Sequence, residues 1–230
     1  MEDNENNEII KGNSEENFDN KNNENILEIF NKKYNTELTL ESNNLDIQNK
    51  NLGNEGFKLL SEIPFNQINN INLSSNCISD ITPLLKLNLD NLTQLNLSRN
   101  RIDNIDIFIQ LNLSHLTILN LNGNKLKDFK SLEKVNLTSL SELSLCKNQI
   151  SDINSLEYMN CPNLTKIDLS QNLIENITVF ERIKCPQLNE IHFACNYFDH
   201  EIIKNYDIIS NLRKKGCNVA IFGTIMQKFV

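Results

Sequence analysis

"LTQLNLSRNRIDNI", residues 92–105, places leucine at 92, 95 and 97, the spacing of a short buried strand, and then a single asparagine, Asn100, where the chain should turn. The same asparagine stands at 76, 100, 124, 148, 172 and 196, a fixed interval of 24 positions. With these six at column zero, the column five before reads Ile71, Leu95, Leu119, Leu143, Ile167 and Ile191. Three before reads Leu73, Leu97, Leu121, Leu145, Leu169 and Phe193; eight before reads Ile68, Leu92, Leu116, Leu140, Leu164 and Leu188. Two after reads Ile78, Ile102, Leu126, Ile150, Ile174 and Phe198. Every entry is apolar, so L-x-x-L-x-L-x-x-N-x-I is written six times over. Self-similarity at a period of this size is the mark of a solenoid.

Elementary chemistry accounts for each column. The L-x-L pair alternates in and out with period two, so it forms a short strand, and adjacent repeats lay these strands side by side as a parallel sheet. One coil cannot bury its own apolar face, so neighbours share a core. Where the chain leaves the strand it turns sharply, and buried amides and carbonyls lose their ladder partners. Asparagine carries two donors and an acceptor on a short side chain, enough to satisfy such groups in its own coil and the next. The six asparagines are therefore expected to be a structural ladder, not ligand contacts. After the first five comes an Asx residue with apolar residues one and four on, as in "SDITPL", "KDFKSL" and "SDINSL", which suits a turn or helix cap, and Pro83 suits a first helical position.

This pattern resembles the leucine-rich-repeat superfamily over roughly residues 38–224. The D-I-x-x-L segments resemble the class found in the regulatory subunit of protein phosphatase 1 and in bacterial internalins. The resemblance implies an α/β solenoid: a horseshoe with a parallel concave sheet, short 3₁₀ or α segments on the convex side, and an α-helix near each end. Both ends depart from the repeat. "LDIQNKNLGNEGFKLLSEI" puts Lys50 in the asparagine column, and its Phe57, Leu59, Leu60 and Ile63 suit an amphipathic helix similar to the ribonuclease-inhibitor-like class. "DHEIIKNYDIISNLRKKG" predicts a second helix capped by Asp199, with a face of Ile202, Ile203, Tyr206, Ile209 and Leu212, ended by Gly216 and followed by a strand at Val219 and Ile221. "TELTLESNN" before Leu45 reads equally as a strand or a hairpin. The expected organisation is a disordered tail over 1–25, an N-terminal cap with the first helical repeat over 26–63, six repeats over 64–198, and a C-terminal cap over 199–230.

With 230 residues, 39% of them hydrophobic, the chain can bury one sizeable core. Its net charge of -8 is unevenly placed, since residues 1–25 carry eight acidic and two basic side chains and so hold -6 of it. Seventeen of the side chains in that segment are Asn, Asp or Glu, which leaves too few apolar groups to offset the entropy of ordering. The acidic N-terminus has no signal-peptide pattern, so the six cysteines are read as reduced and the protein as soluble and cytoplasmic, with a nuclear location open. No apolar run approaches the roughly 18 residues of a membrane span.

Catalytic signatures are missing. There is no G-x-x-x-x-G-K, no G-x-S-x-G and no C-x-x-C, and "HEIIK" at His200 has Lys204 where a zinc-protease motif needs its second histidine. Cys185, His192, Cys195 and His200 are ligand types close in sequence, but Cys185 falls in a core column and His192 on the outward side of a strand, so no metal site is expected. Cys161 and Cys185 occupy equivalent places on neighbouring coils, a placement that allows a disulfide; two reduced core thiols are the reading adopted. "RKK" at 213–215 complements a helix C-terminus and stands alone in an acidic protein, so no nucleic acid is expected.

What remains is surface. Eight strands about 4.8 Å apart make a sheet face on the order of 35 Å long, too shallow to enclose a small substrate. Early repeats offer Asn70, Asn72, Ser74, Gln94, Asn96 and Ser98 there, with Arg99 and Ile118 as exceptions; later ones offer Glu142, Lys147, Lys166, Asp168, Glu190 and His192, with Tyr197 at the rim. The expected function is a non-catalytic, monomeric module that binds a partner protein through Arg99, Ile118 and the later group that ends at Tyr197, without cofactor. The resemblance extends this to a signalling or phosphatase regulator. The alternative is an accessory subunit or fragment of an enzyme complex whose catalytic domain lies on another chain. Deleting residues 1–25 is expected to leave the thermal midpoint unchanged; a drop of several degrees in a melting experiment would show that the tail caps the first coil.

Overall fold

The computed structural model describes residues 24–197 and 202–221. The disorder expected of the tail and the cap expected at Asp199 lie outside these residues, except that Glu24 and Asn25 open the first helix. Helix α1 covers residues 24–34. It is followed by β1 (Asn44–Asp46), α2 (Gly53–Ser61), β2 (Asn70–Asn72), β3 (Gln94–Asn96), β4 (Ile118–Asn120), β5 (Glu142–Ser144), β6 (Lys166–Asp168), β7 (Glu190–His192), α3 (Ile202–Lys214) and β8 (Asn218–Ala220). The eight strands form one parallel sheet in sequence order. From β2 to β7 the register keeps the repeat interval, as in Leu95 opposite Leu119. The interval is wider at the two ends, where Asn44 pairs with Asn70 and Glu190 with Asn218. These two longer coils carry α2 and α3, where the others carry 3₁₀ turns at Thr82–Lys86, Asp106–Gln110, Lys130–Lys134, Asn154–Glu157 and Thr178–Glu181.

Each turn begins on the Asx residue that the sequence singles out. The amides of Thr82, Asp106, Lys130, Asn154 and Thr178 donate to the side-chain oxygens of Asp80, Asn104, Asp128, Asp152 and Asn176 at 2.6–3.2 Å. The apolar columns stack into one core running the length of the array. Leu95, Leu119 and Leu143 of the strands are fully buried, as are Leu84, Phe108 and Leu132 of the turns. Each such side chain contributes about 1.5–3 kcal/mol by leaving water, and only a neighbouring coil can cover it. Leu188 of the end coil is only half-buried.

The asparagine column holds the turns. Asn100 Nδ2 donates to the carbonyls of Leu97, 3.0 Å away in its own coil, and Leu73, 2.9 Å away in the coil before. Its Oδ1 accepts from the amides of Asn76 and Ile78, both at 3.0 Å. Asn124, Asn148, Asn172 and Asn196 repeat the donor pair. The sequence leads one to expect bonds to the following coil; each side chain reaches the preceding one instead, because its outer donor and acceptor face that way. Lys50, in the asparagine column of the first coil, has no earlier strand to clamp, and its ammonium donates to the Asn35 carbonyl at the end of α1, 2.8 Å away.

Two further columns emerge only in three dimensions. Seven before the asparagine, the hydroxyls of Thr93, Thr117, Ser141 and Thr165 donate to the backbone carbonyl of the preceding coil at 2.9–3.0 Å, a second ladder. One before it, Asn49, Ser75, Arg99, Gly123, Lys147, Gln171 and Cys195 all have φ between 53° and 66°. The sharp exit from the strand requires this left-handed turn, and glycine meets the requirement only at Gly123.

At the N-terminal end Phe57, Leu60 and Ile63 are buried as expected. Helix α1 was not expected; it buries Phe30 and Tyr34, and Tyr34 lies across Gly56, where an added Cβ would meet its hydroxyl oxygen at 2.5 Å. "TELTLESNN" holds neither strand nor hairpin before β1: Ser42 N donates to Thr39 O at 3.0 Å, a turn. The face expected of α3 also changes. Ile209 is buried and Leu212 half-buried, but Tyr206 is exposed, and Asn205 and Ile208 take the inner positions. The side chains of Ile202 and Ile203 lie outside the described residues. Asn205 can be buried because its amide is paired, donating to Glu175 O at 3.0 Å and accepting from Ile177 N at 3.4 Å. The last strand holds Val219 as expected and ends at Ala220, one residue short of Ile221.

Asn124→Ala is expected to cost about 1 to 3 kcal/mol in urea unfolding, because it strands the Ile102 amide and leaves the Leu97 and Leu121 carbonyls short of a donor. A variant as stable as the parent would remove the ladder from the account of the fold.

Candidate interaction face

The strands present residues six and four before each asparagine on their outer side, and the left-handed turn presents the residue one before it at the strand ends. The N-terminal part of this face is self-satisfied. Asn72 Nδ2 donates to Asp46 Oδ1 at 2.9 Å while its Oδ1 accepts from the Ser74 hydroxyl at 2.8 Å. Ile118, half-buried on β4, sits between Gln94 and Glu142 in the register.

Strands β6 and β7 bring three of the expected site residues into contact. Glu190 Oε1 accepts from Lys166 Nζ at 3.0 Å and from His192 Nε2 at 2.9 Å. All three are about one-third exposed, with side-chain values of 32%, 34% and 28%. The Lys166 ammonium holds the Glu190 carboxyl below its ordinary range, and Glu190 holds the Lys166 ammonium above its own, with Glu142 and Asp168 adding to the latter. Asp168 also has a local task, since its Oδ1 accepts from the Ser170 amide at 3.0 Å. Glu142 completes the group on β5.

Arg99 and Lys147 stand apart from this cluster. Both occupy left-handed turn positions, at φ 53° and 56°, and are exposed. Gly123, the same position on the coil between them, lies under the Arg99 stem: a Cβ there would sit 3.5 Å from Arg99 Cγ. Arg101 and Lys125, each just after a ladder asparagine, are exposed too, and sequence reasoning alone does not single them out. The signal was present in the column one after the asparagine, which reads Cys77, Arg101, Lys125, Gln149, Leu173 and Tyr197. None of these four cations has an ion-pair partner within 4.0 Å among the described residues. They form a basic rim along the ends of strands β3, β4 and β5, which meets the coils of Glu142, Lys166, Asp168 and Glu190 only at β5. Tyr197 is half-buried where the ladder ends.

Grooves of about 380 and 330 Å³ lie away from the sheet face, one at the end coil beside α3 and one at Ser151–Asn154 and Leu173. Cys185 is in the core and His192 is paired on the face, so these two do not converge on a metal, and His200 lies outside the described residues. Among the described residues no helix is long and apolar enough to cross a membrane.

The family described as leucine-rich repeats in two copies matches residues 90–134 and 138–182. No curated protein matches the chain. Among solved structures, an internalin from Listeria monocytogenes is similar at 25% identity with a TM-score of 0.59, over 72% of this chain and 44% of that one. A leucine-rich-repeat protein of Leptospira interrogans is similar at 25% identity with a TM-score of 0.56, over 72% of this chain and 39% of that one. The chain thus spans less than half the length of either.

Arg99→Gly and Lys147→Gly are expected to leave unfolding free energy within about 0.5 kcal/mol of the parent, because glycine is at ease at positive φ and already serves at position 123. Glu190→Gln should cost up to about 1 kcal/mol at neutral pH, the range of partly exposed ion pairs. The depressed Glu190 carboxyl contributes stability above its ordinary value of 4.5, and that contribution is lost as pH falls through its lower folded value. The gap between parent and Glu190→Gln in urea titrations should therefore close in acid; a gap that persists at low pH would show that the pair is not its source.

Proposed function

We propose that this leucine-rich-repeat solenoid is a non-catalytic interaction module that binds a partner protein across strands β5–β7 and the basic rim beside them. Leucine-rich-repeat proteins generally act as protein-interaction modules, and this chain is a leucine-rich-repeat protein by its fold and by its matches. The observation that carries the choice of face is the gathering of charge. An otherwise Asn- and Ser-rich sheet concentrates Glu142, Lys166, Asp168, Glu190 and His192 on three adjacent strands, and the cations of the rim follow β3, β4 and β5, adjoining this group at β5. Fixed charges of both signs on a rigid sheet favour one orientation of a partner and speed its encounter. The sheet supplies them without ordering cost, since the strands are held by the ladders beneath.

The proposal extends to regulation of a signalling enzyme, a phosphatase among the candidates. The support for that extension is the D-I-x-x-L convex segment alone. We also propose that the interaction takes place in the cytoplasm, which is supported by six cysteines all present as free thiols.

The test is affinity purification with three baits: the parent, Arg99→Gly with Lys147→Gly, and a convex charge reversal, Lys130→Glu with Lys134→Glu. A partner captured by the parent should bind the rim variant at least tenfold more weakly and the convex variant nearly as well as the parent. If the convex reversal abolishes capture while the rim variant retains it, the partner grips the outer surface.

A further inference from the structure

We propose that Cys161 and Cys185 are a peroxide-oxidisable thiol pair whose disulfide staples together the two coils that carry β6 and β7. The sulfurs are 3.4 Å apart. A disulfide needs about 2.05 Å, so they must close by about 1.4 Å, a shift within reach of side-chain rotation on stacked coils. Both occupy the core column that Phe65, Leu89, Leu113 and Leu137 fill elsewhere, and each lies shortly before the first residue of its strand, Lys166 or Glu190. Apolar side chains at this position pack as neighbours in the earlier coils; at these two coils alone the neighbours are both thiols.

The two sulfurs differ in access. Cys161 is 1% exposed, whereas Cys185, at 9%, lines the groove of about 380 Å³ beside Phe180, Leu188, Leu212 and Cys217. That groove exists because the last coil departs from the repeat. It opens between the end coil and α3, with Leu212, Lys215 and Cys217 on the far side from Cys185. A small hydroperoxide can therefore reach Cys185 first. The contact between the two thiols holds the Cys185 thiol below its ordinary value and that of Cys161 above it, while burial pushes both upward. This arrangement makes Cys185 the first to react.

The step balances with the peroxide as oxidant. The Cys185 thiolate attacks the distal peroxide oxygen, an S–O bond forms, the O–O bond breaks, and the alcohol or water leaves after taking a proton. Cys161 sulfur then attacks Sγ of the Cys185 sulfenic acid. The S–S bond forms, the S–O bond breaks, and the Cys161 proton leaves with the hydroxyl as water. Two thiols lose two electrons in total and the peroxide gains them. The resulting cross-link joins one coil to the next and fixes the spacing of the strands that hold the Lys166–Glu190 pair.

The experiment treats the full chain with hydrogen peroxide and maps its peptides. The intact mass should fall by about 2 Da, a peptide joining Cys161 to Cys185 should appear, and dithiothreitol should reverse both. The oxidised protein should unfold at a higher denaturant concentration than the reduced one. Cys161→Ser, confirmed folded by circular dichroism, should lose the linked peptide and leave Cys185 as a sulfenic acid trapped by dimedone. Should that variant fail to fold, the parent's peptide map decides alone. A link between Cys185 and Cys217, or complete oxidation of exposed Cys77 while Cys161 and Cys185 stay reduced, would overturn the proposal.

Discussion

The structure depends on a carbonyl shared between two side chains. Leu97 O accepts from Asn100 of its own coil and from Asn124 of the next, both at 3.0 Å, and the same double acceptance occurs at Leu73, Leu121, Leu145 and Leu169. Carbonyl and amide thus alternate along the array in one buried chain of hydrogen bonds. A carbonyl oxygen has two lone pairs, and buried turns with either one empty would carry a desolvation cost at every coil. Asparagine is the side chain short enough and rich enough in donors to fill both. What the bonds fix is the place of the asparagine relative to its strand and not the length of the coil, since Asn76 still reaches the Ile47 carbonyl at 2.7 Å across the longer first coil.

This chain of bonds also explains where the sequence departs from its own repeat. Among the described residues no strand precedes β1 to receive a donor, and Lys50 turns its ammonium to the end of α1 instead. At the C-terminal end the helix α3 replaces a 3₁₀ turn, and its Asn205 pairs with the Ile177 amide and the Glu175 carbonyl of the coil before. The ends are thus built from side chains that satisfy backbone groups left over by the interruption of the array. The cost of ending a solenoid is visible in the half-buried Leu188 and the groove beside it.

Features that recur in every coil were legible in the sequence, because repetition separates constraint from accident. The six asparagines, the four apolar columns and the Asx residue at each convex turn could be read in that way. The threonine and serine ladder recurs as well, but Asn69 and Asn189 interrupt its residue type and conceal its shared bond. The left-handed column was hidden by chemistry: only Gly123 announces it, while Arg99 and Lys147 give no sign of positive φ. Helix α1 and the inner face of α3 each occur once, so no column supports them, and a buried Asn205 breaks the apolar spacing by which a helix face is recognised. Of the candidate face, the outward placement of the strand residues was legible, whereas their grouping and the addition of Arg101 and Lys125 were not. That Lys166, Glu190 and His192 share one carboxylate oxygen depends on side-chain reach across two strands.

The same separation bears on how such a chain can acquire a binding function. Inward positions are committed to the core, and the asparagine and hydroxyl columns to buried bonds, so neither can vary without loss of stability. The outward column four before the asparagine still caps amides, those of Ser74, Ser98, Asn122 and Ser170, but the column six before and the side chains of the left-handed turns carry less of that duty, which is why Asn, Gln, Ile, Glu and Lys all stand at one outward column of the sheet, from Asn70 to Glu190. Specificity is then written on the columns that stability leaves open. A charged residue gathered on adjacent coils of such columns, as at β5–β7 and the basic rim, carries information that a charge in a constrained column would not. It is this contrast between committed and uncommitted columns, more than the charges themselves, that makes the sheet face the proposed surface of recognition.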